Sequence, residues 1–311
     1  MTAAPLVLLN VAAPADVDVV ARARSAVDSG LDGVGLVDSP RLFADPFVAT
    51  ERVLAGAPTA FAGPCSASLG LRHPATVAAA LRTLAWHTER SFAVVGRGES
   101  SVANEGVAVP SLRDHVAALR SLREQLEHGP RPAALLGAAS GPRTISATSG
   151  ALDGVLVDVG VDGGTVARAV ELAAGAQVWL FVRAVVTSST EQAVEAAEPL
   201  LGSCAARLAA APEWYGLGAD ELAGVREVAA SHDYARHGSR GARTGTRTAA
   251  DDRVRERFVL TGSPEGIAAR VRPWAALGVS GVVLAGGNPF SSVGDLYPCR
   301  INCNYKIVII C

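Results

Sequence analysis

The sequence has almost no net charge and no apolar run long enough to cross a membrane. Its 28 basic and 30 acidic residues leave a formal charge of −2 over 311 residues. Proteins that bind nucleic acids or anionic membranes carry a basic excess, and a membrane helix needs about 20 consecutive apolar residues. The first residues, MTAAPLVLLN, lack the basic flank of a secretion signal. We therefore expect a cytoplasmic protein that binds neither nucleic acid nor membrane.

Cysteine is scarce outside the last residues of the chain. Of the five cysteines, only Cys65 and Cys204 lie in the body, while Cys299, Cys303 and Cys311 lie in the final thirteen residues. This distribution argues against a disulfide framework, and three tail thiols without a fourth ligand predict no metal site. The tail also contains the only lysine and most of the isoleucines. We interpret residues 1–294 as one domain and residues 295–311 as an atypical tail whose composition suggests a foreign or frameshifted sequence.

Short apolar runs alternate with longer helical stretches along the whole chain. The runs with strand character are 6–10, 33–38, 59–63, 91–96, 132–137, 153–158, 176–186 and 280–286. They are continuously apolar, which is typical of parallel strands buried on both faces. The helices between them have clear starts. Asp45 followed by Pro46 is one, and Ser111 at the start of a helix over 111–129 is another. Eight such units in roughly 290 residues predict an α/β protein with a (β/α)8 TIM-barrel fold.

Two features qualify this prediction of a barrel. A doubly wound sheet is the alternative, but its Gly-x-Gly-x-x-Gly fingerprint is missing after the first strand. The region 187–258 contains a helix over 191–210 and then a polar segment rich in arginine and glycine. We interpret this polar segment as a mobile surface excursion, a lid over the open end of the barrel.

Two loops that follow predicted strands have the composition of anion-binding turns. The candidate residues are Gly96, Gly98 and Ser100 in GRGESS, and Ser140, Gly141, Pro142 and Arg143 in SGPRT. Glycines and a helix start expose backbone N–H groups, and an arginine adds positive charge. Helix capping and ordinary tight turns explain the same residues, so both interpretations stay open.

Glu99, within the first of these loops, would repel a phosphate group. It fits better as a carboxylate near a reacting atom, where burial would raise its pKa and let it serve as an acid. The loops contain no triad of metal ligands and no serine or cysteine nucleophile paired with a histidine. We therefore expect a bound cofactor to supply the chemistry, with the protein contributing position and proton transfer.

The ordered motifs resemble the flavin-dependent luciferase-like oxidoreductases. The stretch LRHPATVAAALRTLAWHTERSFAVVGRGESSVANEG (71–106), then ASGPR followed by ALDGVLVD, and finally LTGSPEGIAARVRPWAALGVSGVVL carry the resemblance, which covers about residues 5–287. It is strongest to the branch that uses the deazaflavin coenzyme F420, which includes methylenetetrahydromethanopterin reductases and F420-dependent glucose-6-phosphate dehydrogenases. The resemblance implies a luciferase-like (β/α)8 barrel with the cofactor ring at its C-terminal end.

The resemblance also implies roles for individual residues. A non-proline cis peptide at Cys65–Ser66 would buttress the ring, and the GRGES and SGPR loops would contact the cofactor and its phosphate. Glu99 would be the active-site acid. Asp38 stands where relatives often carry a histidine near the ring, so it is the second catalytic candidate. The expected activity is hydride transfer between coenzyme F420 and a small organic substrate, by a homodimer.

Two further functions stay open. The first is an FMN-dependent monooxygenase, which would need oxygen and a flavin reductase partner. The second is a cofactor-free barrel with an accessory or regulatory role. This second alternative is motivated by Asp38, by the tail, and by a connection between Glu127 and Pro132 that is short where relatives have a longer one covering the pocket.

Overall fold

The structure of the protein is a computed structural model that describes residues 5–87, 89–231 and 247–286. The tail 295–311, with Cys299, Cys303 and Cys311, lies outside the described residues. So does most of the polar, arginine-rich segment of the excursion. Among the described residues, no helix combines the length and the apolar character that a membrane crossing requires.

Eight parallel strands close into a barrel. The strands of the described residues are β1 Leu6–Val11, β2 Gly33–Leu36, β3 Phe61–Ser68, β4 Phe92–Gly96, β5 Ala134–Ala139, β6 Gly154–Val157, β7 Gln177–Val186, β8 Val259–Gly262 and β9 Val279–Ala285. Strands β1 to β7 pair in sequence order, and β9 lies between β7 and β1 and completes the ring. These eight are the eight predicted strands, so the (β/α)8 barrel is confirmed. The additional strand β8 pairs only with the last four residues of β7.

Helices connect the strands and cover the outside of the barrel. They are α1 Val19–Asp28, α2 Pro46–Gly56, α3 Pro74–His87, α4 Glu99–Asn104, α5 Leu112–Gln125, α6 Pro142–Ser149, α7 Gly163–Leu172, α8 Thr190–Ala210, α9 Ala219–Ala230, α10 Ala249–Phe258 and α11 Pro264–Val271, followed by a 3-10 helix, Arg272–Leu277. The predicted starts are confirmed: Asp45 caps α2 ahead of Pro46, and the Ser111 hydroxyl accepts the N–H of Asp114 at the start of α5. Such caps satisfy N–H groups that have no partner inside the helix.

Apolar side chains fill the space inside the barrel and the layer around it. Inside, the rings of Phe92 and Trp179 lie 5.4 Å apart and pack with Leu8, Leu136 and other buried side chains. A second layer, between the strands and the helices, contains most of the remaining core. The barrel is therefore packed along its length, and only its ends are available for binding.

The excursion at 187–258, after β7, contains more helix than predicted, and most of the polar segment expected to be mobile lies outside the described residues. Its described part forms the helices α8, α9 and α10, which pack on one another around a separate apolar cluster that includes Leu201, Leu208, Val225 and Phe258. Sequence interpretation missed α9, α10 and the four-residue strand β8, because alanine-rich and charged helices give a weak apolar period. The three helices form a packed layer beside the barrel.

The short connection between α5 and β5 lies at the opposite end of the barrel from the expected site. It joins the end of α5 to the beginning of β5, and in a parallel barrel all strand beginnings lie at one end. Its length therefore has no bearing on a pocket at the strand C-terminal ends. The hypothesis that it leaves such a pocket uncovered is wrong.

Candidate active site

The C-terminal ends of the eight barrel strands form what we call the barrel mouth, the end at which TIM-barrel enzymes place their reactive groups. Its base, the mouth floor, consists of Asn10, Gly35, Cys65, Gly96 and Ala138. A Cβ added at Gly35 would lie 2.7 Å from the Cys65 Cβ and 3.5 Å from the Asn10 Oδ1. A Cβ at Gly96 would lie 3.1 Å from the Ala138 Cβ and 3.4 Å from the Ser66 Oγ. Small side chains on adjacent strands are therefore in close contact here and close the base of the mouth.

The peptide bond between Cys65 and Ser66 is cis, as the resemblance implied. Both residues belong to β3, which runs further than the predicted strand 59–63 because the chain continues through Pro64 into the sheet. The Cys65 side chain is buried, and burial raises the pKa of its thiol to about 12. Cys65 is therefore a neutral packing residue of the mouth floor.

Asn10 is a polar residue of the mouth floor that sequence interpretation did not select. Its side-chain Oδ1 is buried and has no hydrogen-bond partner among the described residues. A buried amide oxygen without a donor costs free energy, so it is a strong candidate to meet a ligand N–H or O–H. The feature of the sequence that could have identified Asn10 is that it is the single amide at the end of the apolar run LVLLN.

The GRGES loop is a tight turn into a helix, and it also places its glutamate at the mouth. Gly98 adopts a left-handed conformation, with φ 68°, and precedes the short helix α4. The Ser68 hydroxyl donates to the Arg97 carbonyl at 3.1 Å, which ties the turn to the end of β3. Ser100 is the second residue of α4. The tight-turn interpretation is therefore confirmed, while anion binding by Gly96, Gly98 and Ser100 stays a prediction.

Glu99 is held as a carboxylate. It pairs with Arg97 and lies 3.5 Å from a terminal nitrogen of Arg207, and 46% of its side chain is exposed. Burial pushes its pKa up, but the Arg97 hydrogen bond and the charge of Arg207 outweigh burial, so the pKa is lowered. The expectation of a raised pKa is wrong, because two guanidinium groups face this carboxylate. Glu99 is therefore ionised near neutral pH, and its catalytic role stays a prediction.

Asp38 lies at the end of β2 with both oxygens bonded. It accepts hydrogen bonds from the Nε and Nη2 of Arg72, both at 3.2 Å, and from the Ser68 N–H at 3.1 Å. Arg72 also pairs with Asp45 and lies over the Phe47 ring. Asp38 therefore connects the loops after β2 and β3. These contacts fit a positioning role, and its catalytic role stays a prediction.

The SGPR loop emerges beside the GRGES loop. Strands β4 and β5 are paired in parallel, so the segments that follow them leave the barrel at the same end and side by side. The N–H groups of Ser140 and Gly141 donate to the Thr144 hydroxyl at 3.2 and 3.1 Å, which caps α6. Pro142 starts the helix, and Arg143 is exposed next to it. Capping therefore occupies two of the predicted anion donors, while Arg143 remains accessible.

Five charged side chains at the mouth form what we call the mouth charge cluster: Arg97, Glu99, Asp158, Arg183 and Arg207. Asp158 follows β6 and accepts two hydrogen bonds from Arg183 of β7, at 2.7 and 2.9 Å. Arg207, near the end of α8, lies 3.3 Å from Asp158. Burial raises the pKa of Asp158, but the charge and hydrogen bonds of Arg183 outweigh it and keep the pKa low. The cluster therefore contains three cations and two anions.

Sequence interpretation missed Asp158, Arg183 and Arg207. Asp158 could have been identified from the sequence as the acid that ends the predicted strand 153–158. Arg183 stands inside the apolar run AQVWLFVRAVV, where a charge in a buried strand signals a buried partner. Arg207 offered no signal, since it comes from a helix that reaches the mouth only through the packing of the excursion.

A separate cavity of about 810 Å3 lies on the outside of the barrel. It is lined by residues at the start of α7, by the loop between α8 and α9, and by side chains of α10 and α11, including Asp162, Trp214 and Arg270. None of the predicted site residues lines this cavity. Its lining mixes acids and arginines, so its charge does not favour a ligand of either sign.

Comparison with solved structures connects this architecture to known proteins. No protein-family model and no curated protein sequence matches the chain. Among solved structures, coenzyme F420-dependent tetrahydromethanopterin reductase from Methanopyrus kandleri has a TM-score of 0.69 at 16% identity, covering 91% of this chain and 93% of that one. An F420-dependent secondary alcohol dehydrogenase, in complex with an F420–acetone adduct, has a TM-score of 0.66 at 15% identity, covering 91% and 93%.

A third solved structure with this fold binds a different cofactor. The oxygenating constituent of 3,6-diketocamphane monooxygenase from Pseudomonas putida, a type II Baeyer–Villiger monooxygenase in complex with FMN, has a TM-score of 0.58 at 14% identity and covers 93% of this chain and 94% of that one. At these identities the similarity establishes the fold. The predicted (β/α)8 barrel fold is therefore confirmed, and these structures share it over 91–93% of the chain.

Proposed function

We propose that the protein is an oxidoreductase that binds a deazaflavin or flavin ring at the barrel mouth, and that coenzyme F420 is the cofactor. The observation that carries this proposal is the mouth floor, a shallow base of small residues with one unpartnered amide oxygen. The similarity in fold to two F420-dependent enzymes supports the choice of coenzyme.

The residues at the mouth suit a flat ring with polar edges. At Gly35 and Gly96 even a Cβ would crowd the neighbouring Cys65 and Ala138 side chains, so small residues close the base and a ring would lie on top of it. The Asn10 Oδ1 supplies an acceptor for a ring N–H, and this contact would remove the cost of leaving the oxygen unpaired. Ser66, at the edge of the floor, offers a hydroxyl.

The two neighbouring loops would hold the remainder of the cofactor. Gly98 and Ser100 bring backbone close to the mouth, and the SGPR loop adds Arg143, whose exposed guanidinium suits a phosphate or carboxylate. The other SGPR residues, Ser140, Gly141 and Pro142, set the direction of that loop. This arrangement divides the site into an apolar floor and a polar rim.

When bound, the deazaflavin supplies a ring carbon that accepts or returns a hydride. We assign to Glu99 the proton that a substrate hydroxyl releases as the substrate is oxidised. Arg97 and Arg207 lower its pKa, so it is ionised and would accept this proton as a weak base. In the reducing direction the same group returns that proton. Asp38 acts through Arg72 and the Ser68 N–H, and it keeps the end of β3 in place beside the ring.

Titration with coenzyme F420 tests the proposal directly. We expect micromolar F420 to change its absorbance and fluorescence on binding, and to raise the melting temperature of the protein, because a ligand at 100 times its Kd adds about 2.7 kcal/mol to stability. Gly96→Val fills the mouth floor and should weaken binding at least tenfold. Gly218→Val is the matched control, because Gly218 has open space around its Cα and lies at the start of α9. Absence of any change with the unmodified protein would reject the proposal.

An FMN-dependent monooxygenase is the second candidate, and the FMN-bound structure with the same fold favours it. It would use the same mouth floor and need a flavin reductase partner to supply reduced FMN. Oxygen uptake by the protein with reduced FMN, measured against the same mixture without protein, separates the two functions. Uptake together with tighter binding of FMN than of F420 would favour the monooxygenase.

A further inference from the structure

Arg207 is the member of the mouth charge cluster with spare hydrogen-bonding capacity. It comes from the last turns of α8 and has 35% of its side chain exposed. Its two contacts are long, 3.3 Å to Asp158 and 3.5 Å to Glu99. A guanidinium carries five N–H donors in a planar fork, so several donors of Arg207 remain unused.

The two acids near Arg207 already have stronger partners. Asp158 accepts both of its short hydrogen bonds from Arg183, at 2.7 and 2.9 Å. Glu99 is paired closely with Arg97. Within the cluster, three guanidinium groups face two carboxylates, which leaves one positive charge without a dedicated counterion. Arg207 shares each of its two acids with another arginine, and its side chain is 35% exposed.

A neighbouring hydroxyl also lacks a partner. Tyr215, in the loop between α8 and α9, is buried, and its OH has no hydrogen-bond partner among the described residues. The Tyr215 ring lies 5.7 Å from the Phe258 ring, and the Arg183 guanidinium lies 5.9 Å from that same Phe258 ring, which places Tyr215 beside the Asp158–Arg183 pair. Burial raises the pKa of Tyr215 far above its usual value. The phenol therefore stays protonated and can donate a hydrogen bond.

We propose that Arg207, supported by Tyr215, is an anion subsite that receives a carboxylate or phosphate group of the substrate. Because this subsite would bind the substrate, the proposal rests on the proposed function. It limits the substrate class to small organic anions. A bidentate carboxylate or phosphate would replace the long contacts of Arg207 by short charge-assisted hydrogen bonds. Glu99 would then keep Arg97 as its partner and be free of Arg207.

Binding of simple anions tests the subsite without any cofactor. The probes are inorganic phosphate and succinate, measured by calorimetry at pH 7.5 and at constant ionic strength adjusted with sodium chloride, since surface charge effects are screened by salt. We expect saturable binding of at least one probe, and Arg207→Gln should weaken it tenfold or more. A tighter complex with succinate would indicate a carboxylate-bearing substrate, and a tighter complex with phosphate would indicate a phosphate ester.

Matched variants separate the subsite from general charge and from folding defects. Arg253→Gln, on α10, is the control, because Arg253 is exposed and has one 4.0 Å contact to Glu221. It should leave anion binding unchanged. Arg207→Lys keeps the charge but loses the planar fork, and Tyr215→Phe removes only the hydroxyl, so both should weaken binding even if Arg207→Gln does not fold. Unchanged binding in Arg207→Lys and Tyr215→Phe, or failure of both probes to bind, would overturn the proposal.

Competition decides whether the anion belongs to the substrate or to a cofactor. If FMN displaces phosphate from the subsite while riboflavin does not, the anion is the cofactor phosphate and the substrate proposal is overturned. If neither displaces it, the subsite is available to substrate, as proposed. Anion binding that depends on Arg207, in a protein that binds neither F420 nor FMN, would support the subsite and reject the proposed redox function.

Discussion

Replacing Asp158 with asparagine removes the negative charge opposite Arg183 and preserves the size of the side chain. Asp158 and Arg183 are 14% and 8% exposed and share two hydrogen bonds, at 2.7 and 2.9 Å. Removing one partner of a buried ion pair strands the other charge and costs about 3–5 kcal/mol. The amide oxygen still accepts one hydrogen bond, so we expect a loss near 3 kcal/mol for Asp158→Asn, at the low end of that range. For a chain of 311 residues, that loss lowers the melting temperature by about 5 °C.

Urea unfolding followed by tryptophan fluorescence measures this loss. The matched set is Asp158→Asn, Arg183→Met and the double variant. Because either single change strands the other charge, the double variant should cost less than the sum of the two single changes. A loss below about 1 kcal/mol in both single variants, as exposed pairs give, would refute the reasoning that this pair is buried. Strictly additive losses would also refute it.

The pH dependence of the same pair has a defined sign. Asp158 has a lowered pKa in the folded state, so its contribution is present above its unfolded pKa, near 3.9, and is lost as the pH falls toward the folded value. The stability difference between the unmodified protein and Asp158→Asn should therefore be constant at neutral pH and shrink below about pH 4. A difference that grows on acidification would contradict this assignment.

Two further outcomes follow from the packing of the barrel. Phe92→Ala removes a ring that packs against Trp179 inside the barrel, and it should lower the free energy of unfolding by about 3–5 kcal/mol, measured in urea. A loss under about 1 kcal/mol would mean that the barrel interior is not packed as described. Cys65 and Cys204 are buried, and burial raises the pKa of both thiols. In a variant with serine in place of the three tail cysteines, these two are the only thiols. A thiol reagent at pH 8 should label neither of them until denaturant is added. Rapid labelling of the native variant would contradict their burial.

The sequence predicted the strands and helix starts whose signals lie within a few neighbouring residues. Continuous apolar runs identified all eight barrel strands, because strands buried on both faces need apolar side chains at every position. Asp45 with Pro46, and Ser111, identified helix starts, because capping depends only on residues a few positions apart. The strand β8 and the helices α9 and α10 escaped, since a four-residue strand and alanine-rich helices depend on tertiary packing for their stability.

The candidate site was predicted less completely, and the reason is the distance along the chain between its parts. Glu99 and the two glycine-containing loops were visible because they directly follow strands. The state of Glu99 was not, because the direction of its pKa depends on side-chain contacts that a local pattern does not give. Arg97, two residues away, turns to bond it, and Arg207, 108 residues away, reaches it through the packed excursion. The expected direction of the Glu99 pKa was therefore wrong even though its position at the mouth is as expected.

By itself, the sequence determined the order of strands and helices, the barrel they close into, and the loops that meet at its mouth. These follow from side-chain burial and capping, which act over a few residues. Only the tertiary structure decided which charges meet: Arg183 with Asp158, and Arg207 between Asp158 and Glu99. Electrostatic interactions depend on distance in space, and α8 brings to the mouth a cation that no local pattern in the sequence marks.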